Sequence, residues 1–199
     1  MFGTNCFNLV WEKVCAEVMD NQLQKPIGGL RLPVPLAEQY RSMRHKKLID
    51  LIDKPQWSGT APGGDVFVKQ AEDTLIPDLI SIVNVDGDCQ FIIFDAKYYN
   101  IQLDHNKKLR GQPGIESITK QYLYQLAYQP FMEAHQICTV RNCFLMPTAS
   151  AEIIEKGTAS LAMLRNLGLE DIQVRLLPAD MMYRHYIENT KLNVRMLNL

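Results

Sequence analysis

The fold is decided by residues 76–97, which read Ile76-Pro-Asp-Leu-Ile-Ser-Ile-Val-Asn-Val-Asp-Gly-Asp-Cys-Gln-Phe-Ile-Ile-Phe-Asp-Ala-Lys97. Two runs rich in Val, Ile and Phe flank Asp86-Gly87-Asp88, and such runs are typical of β-strands. An Asp-Gly pair between two strands is the sequence signal of a tight turn. We therefore predict that residues 79–85 and 90–96 pair as an antiparallel hairpin.

An acidic residue stands at the open end of each strand of this hairpin. Asp78 precedes the first strand and Asp95 lies near the end of the second, at matched distances from the turn. Residues opposite one another on neighbouring strands are about 5 Å apart, so the two carboxylates are predicted to lie side by side. Because side chains alternate along a strand, Lys97 is predicted to share the face of Asp95.

This arrangement predicts a metal site with a particular chemistry. Two adjacent carboxylates repel each other, and burying either of them without a counter-charge is costly. Oxygen ligands without His or thiolate suit Mg²⁺, with Mn²⁺ as a substitute. Such an ion polarises a phosphate and lowers the pKa of bound water, and the Lys97 ammonium stabilises charge at phosphorus. The pattern favours phosphodiester hydrolysis, although an Asp or Lys at a strand end is, taken alone, usually only solvated.

The rest of the chain predicts further elements around the hairpin. Helices are predicted near residues 5–20, within 36–51, from Pro113-Gly114 to Pro130 and from Pro178 onward, and strands at 65–69, 137–146, 158–164 and 171–177. The predicted fold class is α/β (α+β), with a mixed central β-sheet flanked by helices. We predict a single domain over residues 1–199, in which residues 21–64 form an irregular, Pro/Gly-rich insertion with a short basic helix.

Composition limits the possible partners. The 199 residues carry a net charge of -1, so the molecule as a whole does not attract DNA or anionic lipid. No apolar stretch approaches the roughly 20 residues of a membrane span. The N-terminus lacks the pattern of a secretory signal. These features predict a soluble, cytoplasmic protein without a membrane partner.

Two basic clusters are candidates for contacts with DNA phosphates. They comprise Lys107, Lys108 and Arg110 in one case, and Arg41, Arg44, His45, Lys46 and Lys47 in the other. The first is the stronger candidate because only a short loop separates it from Lys97, but a solvated surface is the commoner explanation for either cluster alone. No GxxxxGK[ST] motif is present, so any nucleotide-driven motor must be a separate polypeptide.

Pro77-Asp78 followed by Asp95-Ala96-Lys97 resembles the signature of the PD-(D/E)XK nuclease superfamily, a group of Mg²⁺-dependent enzymes. With Trp11-Glu12-Lys13, residues 94–99 and residues 113–122 included, the sequence is similar to the LlaJI-type restriction endonuclease family, which itself resembles the nuclease part of McrC-like subunits. The resemblance covers about residues 7–186. It implies a restriction-endonuclease-like αβββαβ core.

The resemblance also implies an activity and partners. The implied activity is that of a type II or McrC-like Mg²⁺-dependent endodeoxyribonuclease, the cleavage subunit or domain of a bacterial restriction system. The implied partners are DNA and a McrB-like GTPase subunit, and cutting both strands favours a homodimer. Two alternatives stay open: a catalytically inert DNA-binding or assembly module of the same fold, and a DNA repair or junction nuclease.

Individual residues receive implied roles in the same way. The implied metal ligands are Asp78, Asp95 and Glu12, the implied catalytic residues are these three with Lys97 and Gln121, and Lys120 is implied to assist or to touch the phosphate backbone. Tyr124 lies one turn beyond Lys120 on the same helix face. For Glu12, an exposed helix carboxylate in an ion pair is the alternative.

Overall fold

A five-stranded mixed sheet organises the fold in the computed structural model, which describes residues 7–199. The helices are α1 (Phe7–Val18), α2 (Glu38–Arg41), α3 (Ile115–Ala134), α4 (Ala162–Arg165) and α5 (Ala179–Ile187), and the strands are β1 (Gln56–Thr60), β2 (Val66–Gln70), β3 (Leu79–Val85), β4 (Asp88–Ala96), β5 (Thr139–Thr148), β6 (Ile154–Ala159) and β7 (Ile172–Pro178). Short 3₁₀ helices span Ile27–Gly29, Leu48–Leu51 and Val194–Leu197. The predicted mixed sheet with flanking helices is thereby confirmed.

The order of the strands places three carboxyl ends together. Across the sheet the order is β3-β4-β5-β7-β6. The central strands β4, β5 and β7 run parallel, whereas the edge strands β3 and β6 run antiparallel to their neighbours. In open sheets, ligands bind beyond the carboxyl ends of parallel strands. The carboxyl-terminal ends of β4, β5 and β7 and the start of β3 therefore lie along the same side of the sheet.

The predicted hairpin is confirmed in type and register. β3 pairs with β4 from Leu79 opposite Phe94 to Val85 opposite Asp88. The turn residues Asp86 and Gly87 have φ angles of 54° and 90°, and a two-residue turn with two positive φ angles matches the twist of the flanking strands. The register places the residue before Leu79 beside the residue after Phe94.

Helices cover the two faces of the sheet, and β4 contributes to both cores. Phe94 and Ala96 face α1 and α5, where they pack with Trp11 among others. Ile93 faces the opposite side, where it packs with Tyr128 of α3. Because side chains alternate along a strand, Asp95 and Lys97 project towards the side of α3.

Trp11 fastens α1 to the sheet next to the open end of the hairpin. Its buried indole N–H donates to the carbonyl of Leu145, 3.0 Å away. We expect Trp11→Phe to lower the free energy of unfolding by about 1–3 kcal/mol, because the hydrogen bond is lost and a cavity forms. Urea denaturation followed by circular dichroism measures this, with Lys13→Ala, an exposed change on the same helix, as the control. Equal stabilities of the two variants would contradict the anchoring role.

Two helix predictions were wrong in part. The predicted helix within residues 36–51 is instead α2 and the Leu48–Leu51 3₁₀ turn, since the carbonyls of Arg44 and Lys46 accept hydrogen bonds from Gly28 and Ile27. In contrast, Pro130 does not stop α3, which continues to Ala134. Pro130 is exposed while Phe131 is buried, so packing of the last turn outweighs the missing backbone hydrogen bond.

Two strand predictions were also wrong in part. The strand predicted at 65–69 is present as β2, but it pairs with β1 in a separate two-stranded sheet, and β1 lies in the stretch predicted as irregular. The strand predicted at 158–164 is instead β6, which ends at Ala159 opposite Ile172, where β7 begins. Without a partner strand beyond that point, the chain turns into α4. Among the helices of residues 7–199, none has the length and apolarity of a membrane-spanning segment.

Candidate active site

The central feature of the site is a pair of aspartates on neighbouring strands. Asp95 is buried, with 5% of its surface exposed, and Asp78 is half-buried. Oδ2 of Asp78 accepts a hydrogen bond of 2.9 Å from the Ala96 N–H, which fixes this side chain against β4. The hairpin register, with Leu79 opposite Phe94, places these two residues beside one another on neighbouring strands, and the charge of Asp95 acts on the pKa of Asp78. The structure thus brings Asp78 and Asp95 together, as the hairpin predicts.

The electrostatics of the pair favour a nearby positive charge. Burial, a hydrogen bond to Asp95 and the charge of Asp95 raise the pKa of Asp78 to about 8. Lys97 and the Ala96 N–H lower this pKa but do not offset the rise. Two carboxylates at one site cannot both ionise easily without additional positive charge. The donor set, carboxylate oxygens alone, fits a hard divalent ion such as Mg²⁺.

Lys97 lies directly against Asp95. Its Nζ lies 2.5 Å from Oδ1 of Asp95, and its side chain is 21% exposed. Oδ1 makes no aligned hydrogen bond within residues 7–199, so the contact is an ion pair. Burial alone would lower the pKa of Lys97, but Asp95, Asp78 and Tyr99 raise it above its usual value. The ammonium therefore stays protonated at neutral pH.

The Leu145 carbonyl joins the parts of the site. It accepts hydrogen bonds from the Trp11 indole and from the backbone N–H of Lys97, the latter at 2.9 Å. Helix α1, strand β5 and the end of β4 thus meet at one oxygen atom. Sequence reasoning missed this junction because a backbone acceptor carries no side-chain signal.

Glu12 approaches the pair from α1. Burial raises the pKa of Glu12. The charge of Lys97 lowers this pKa and the charge of Asp95 raises it, so both residues are near enough to Glu12 to affect its ionisation. Within residues 7–199, no three His, Cys, Asp or Glu side chains are grouped closely enough to hold an ion. Asp78 and Asp95 are therefore the close pair, and Glu12 stands near them without joining them.

Helix α3 covers the site from the other side. Gln121 is fully buried, and neither amide atom has a hydrogen-bond partner within residues 7–199; an unpaired buried amide is costly and needs an explanation. One turn on, the Tyr124 hydroxyl donates to the Ile76 carbonyl at 2.8 Å, just before Asp78. The partly exposed Lys120 forms an ion pair of 2.6 Å with Glu116.

The two basic clusters lie at different places. The loop that carries Lys107, Lys108 and Arg110 crosses to β6, where Asp104 bonds to Lys156 at 3.2 Å. Three strand spacings separate β4 from β6, about 14 Å, so these exposed residues flank the site without entering it.

The cluster at Arg41, Arg44, His45, Lys46 and Lys47 is also exposed. The neighbouring Tyr40 packs on Phe131 of α3. Phe131 lies ten residues beyond Gln121, about 15 Å along the helix. This cluster is therefore remote from the aspartate pair.

The fold and the site together define a protein of the restriction-endonuclease-like class, with paired acids and a lysine at the open end of a hairpin. The sequence profile of the LlaJI restriction endonuclease family matches residues 40–178, and the chain belongs to this family. Asp78, Asp95, Lys97 and Gln121 lie inside the matched region, and Glu12 precedes it.

A curated relative extends over nearly the whole chain. Over 189 residues the chain is 30% identical to the type II restriction enzyme BsuMI component YdjA of Bacillus subtilis strain 168. The alignment covers 95% of this chain and 34% of the relative, so the chain spans about a third of the length of that protein. No solved structure matches the chain.

Proposed function

We propose that this chain is a Mg²⁺-dependent endonuclease that hydrolyses phosphodiester bonds of DNA in a restriction system. The observation that carries the proposal is the convergence of Asp78, Asp95 and Lys97, with Lys97 Nζ at 2.5 Å from Asp95. The family of the chain supports nuclease chemistry. The hairpin motif supports placement in the PD-(D/E)XK superfamily.

Asp78 and Asp95 are the residues that would hold the ion, with Glu12 as a third ligand once its side chain moves towards the pair. When bound, the ion neutralises the pair, polarises the phosphate and lowers the pKa of water. The Ala96 N–H holds the Asp78 carboxylate in place. The buried Asp95 keeps the Lys97 ammonium protonated beside the position of the scissile phosphate, where it stabilises developing negative charge.

Gln121 supplies the remaining polar group. Its buried amide has no partner within residues 7–199, so it is free to donate to a phosphate oxygen or to orient the attacking water. Tyr124 is a positioning residue, because its hydroxyl holds the Ile76 carbonyl and with it the entry to β3.

The chain acts with other components in this proposal. The relative is described as a component of a restriction enzyme, which supports a multi-component assembly here, with a McrB-like GTPase on a separate polypeptide. A homodimer would supply two sites for the two DNA strands. The exposed Lys107, Lys108 and Arg110 and the partly exposed Lys120 would follow the phosphate backbone near the site. The basic residues Arg41, Arg44, Lys46 and Lys47 would contact it further away.

Cleavage of supercoiled plasmid tests the proposal. With Mg²⁺ the wild-type chain is expected to produce nicked or linear DNA, and EDTA is expected to stop the reaction because the aspartate pair then lacks its counter-ion. Asp88→Ala, an exposed carboxylate at the turn end of β4, is expected to cut at the wild-type rate. Retarded plasmid that stays intact under all conditions would instead favour the inert DNA-binding module.

A further inference from the structure

An open cavity of about 630 Å³ lies beside the proposed site, at the carboxyl ends of the parallel strands. Tyr98 and Tyr99, which directly follow Lys97, form one wall. Thr148 at the end of β5 and Asp180 in the first turn of α5 form the other. The backbone N–H of Lys97 donates a hydrogen bond to the Leu145 carbonyl. Leu145 lies on β5 only three residues before Thr148 of the cavity wall, so the cavity is close to Lys97.

The charge of the lining is unsuited to phosphate. Among residues 7–199, no lysine or arginine lines the cavity, and Asp180 contributes a carboxylate. A phosphate group would be repelled there, whereas a neutral and flat group would not. The basic residues near the site lie outside the cavity. The phosphate backbone of DNA and a nucleobase would therefore contact different regions of this surface.

The side chains present are those that bind bases. Tyr98 stacks on Phe7 with ring centroids 5.9 Å apart and is 45% exposed, and aromatic faces stack on bases without regard to sequence. Asn100 and Asp180 carry the groups that read adenine and cytosine edges. Asn100 and Asp180 are both exposed, so their polar groups are accessible to a ligand in the cavity.

We infer that this cavity binds a nucleobase displaced from the DNA stack next to the scissile phosphate. The inference rests on the proposed DNA cleavage and deepens it by assigning a second subsite for the same substrate. A volume of about 630 Å³ lies within the range of small-molecule sites. Tyr98 would stack on the base, and Asn100 and Asp180 would bond to its edge.

A duplex with a single unpaired base tests the inference, because that base has already lost its pairing. The probe is a 20-base-pair duplex with one bulged 2-aminopurine, compared with the fully paired duplex of the same sequence. All proteins carry Lys97→Ala so that the DNA stays intact, and fluorescence titration in Mg²⁺ gives the affinities. We expect the bulged duplex to bind about tenfold tighter, with quenching of the 2-aminopurine by stacking on Tyr98.

Adding Tyr98→Ala or Asp180→Asn is expected to remove the preference for the bulged duplex. The control is Glu152→Gln, which changes an exposed residue of the adjacent loop outside the cavity and is expected to keep that preference. Equal affinities for the two duplexes, or a preference unchanged in both cavity variants, would overturn the inference and leave the proposed cleavage standing. Binding of neither duplex would overturn both.

Discussion

Lys97→Ala is expected to slow plasmid cleavage by about 10³-fold or more. The ammonium sits 2.5 Å from the buried Asp95, in an environment where a fixed positive charge acts strongly on developing phosphate charge. Removing it leaves Asp95 without its ion-pair partner and the transition state without the cation that the protein itself supplies. Initial rates of supercoiled-plasmid loss, measured at saturating Mg²⁺, give the factor.

Two further variants test whether the effect depends on an ammonium group at position 97. Lys97→Arg keeps the positive charge, but the planar guanidinium does not reproduce a compact ammonium, and we expect a loss of about 10–100-fold. Lys25→Ala removes an exposed ammonium that pairs with Asp20 on the surface and is expected to leave the rate unchanged. A Lys97→Ala protein that remains folded and cuts as fast as Lys25→Ala would show that this lysine is not catalytic.

The hairpin was predictable because its signals are local. A turn needs only Asp86-Gly87, the strands need only their β-branched and aromatic residues, and the pairing of Asp78 with Asp95 follows from counting outward from the turn. The same count placed Lys97 on the face of Asp95, and the ion pair confirms that proximity. Short-range geometry therefore carried most of the information about the site.

What the sequence did not predict depends on contacts between distant segments. Pro130 is a helix breaker by its own chemistry, yet α3 passes through it because Phe131 and Met132 are buried beyond it. The loop with Lys107 follows Lys97 closely along the chain but is drawn to β6, where Leu103 lies against Gly157. The cavity wall at Asp180 belongs to a helix 83 residues after Lys97 in the sequence, and no local pattern links the two.

Asp78→Asn is expected to have opposite effects on stability without and with metal. In metal-free protein at pH 8, the amide removes the repulsion and part of the burial cost that a second carboxylate imposes beside Asp95. Its Oδ1 still accepts the hydrogen bond that the Ala96 N–H donates at 2.9 Å in the wild type. We therefore expect the free energy of unfolding to rise by about 1–3 kcal/mol.

Excess Mn²⁺ reverses this order of stability. An ion that binds only the folded protein stabilises it by about 4.1 kcal/mol at a concentration of about a thousand times its Kd, and this gain requires both aspartates. Wild type should therefore gain stability and Asp78→Asn should not, so that the variant becomes the less stable protein. Asp88→Asn, at the exposed end of the same hairpin, should follow the wild type under both conditions. Thermal denaturation with EDTA and with Mn²⁺ measures all three proteins, and an equal Mn²⁺ shift in wild type and Asp78→Asn would mean that the aspartate pair does not bind the ion.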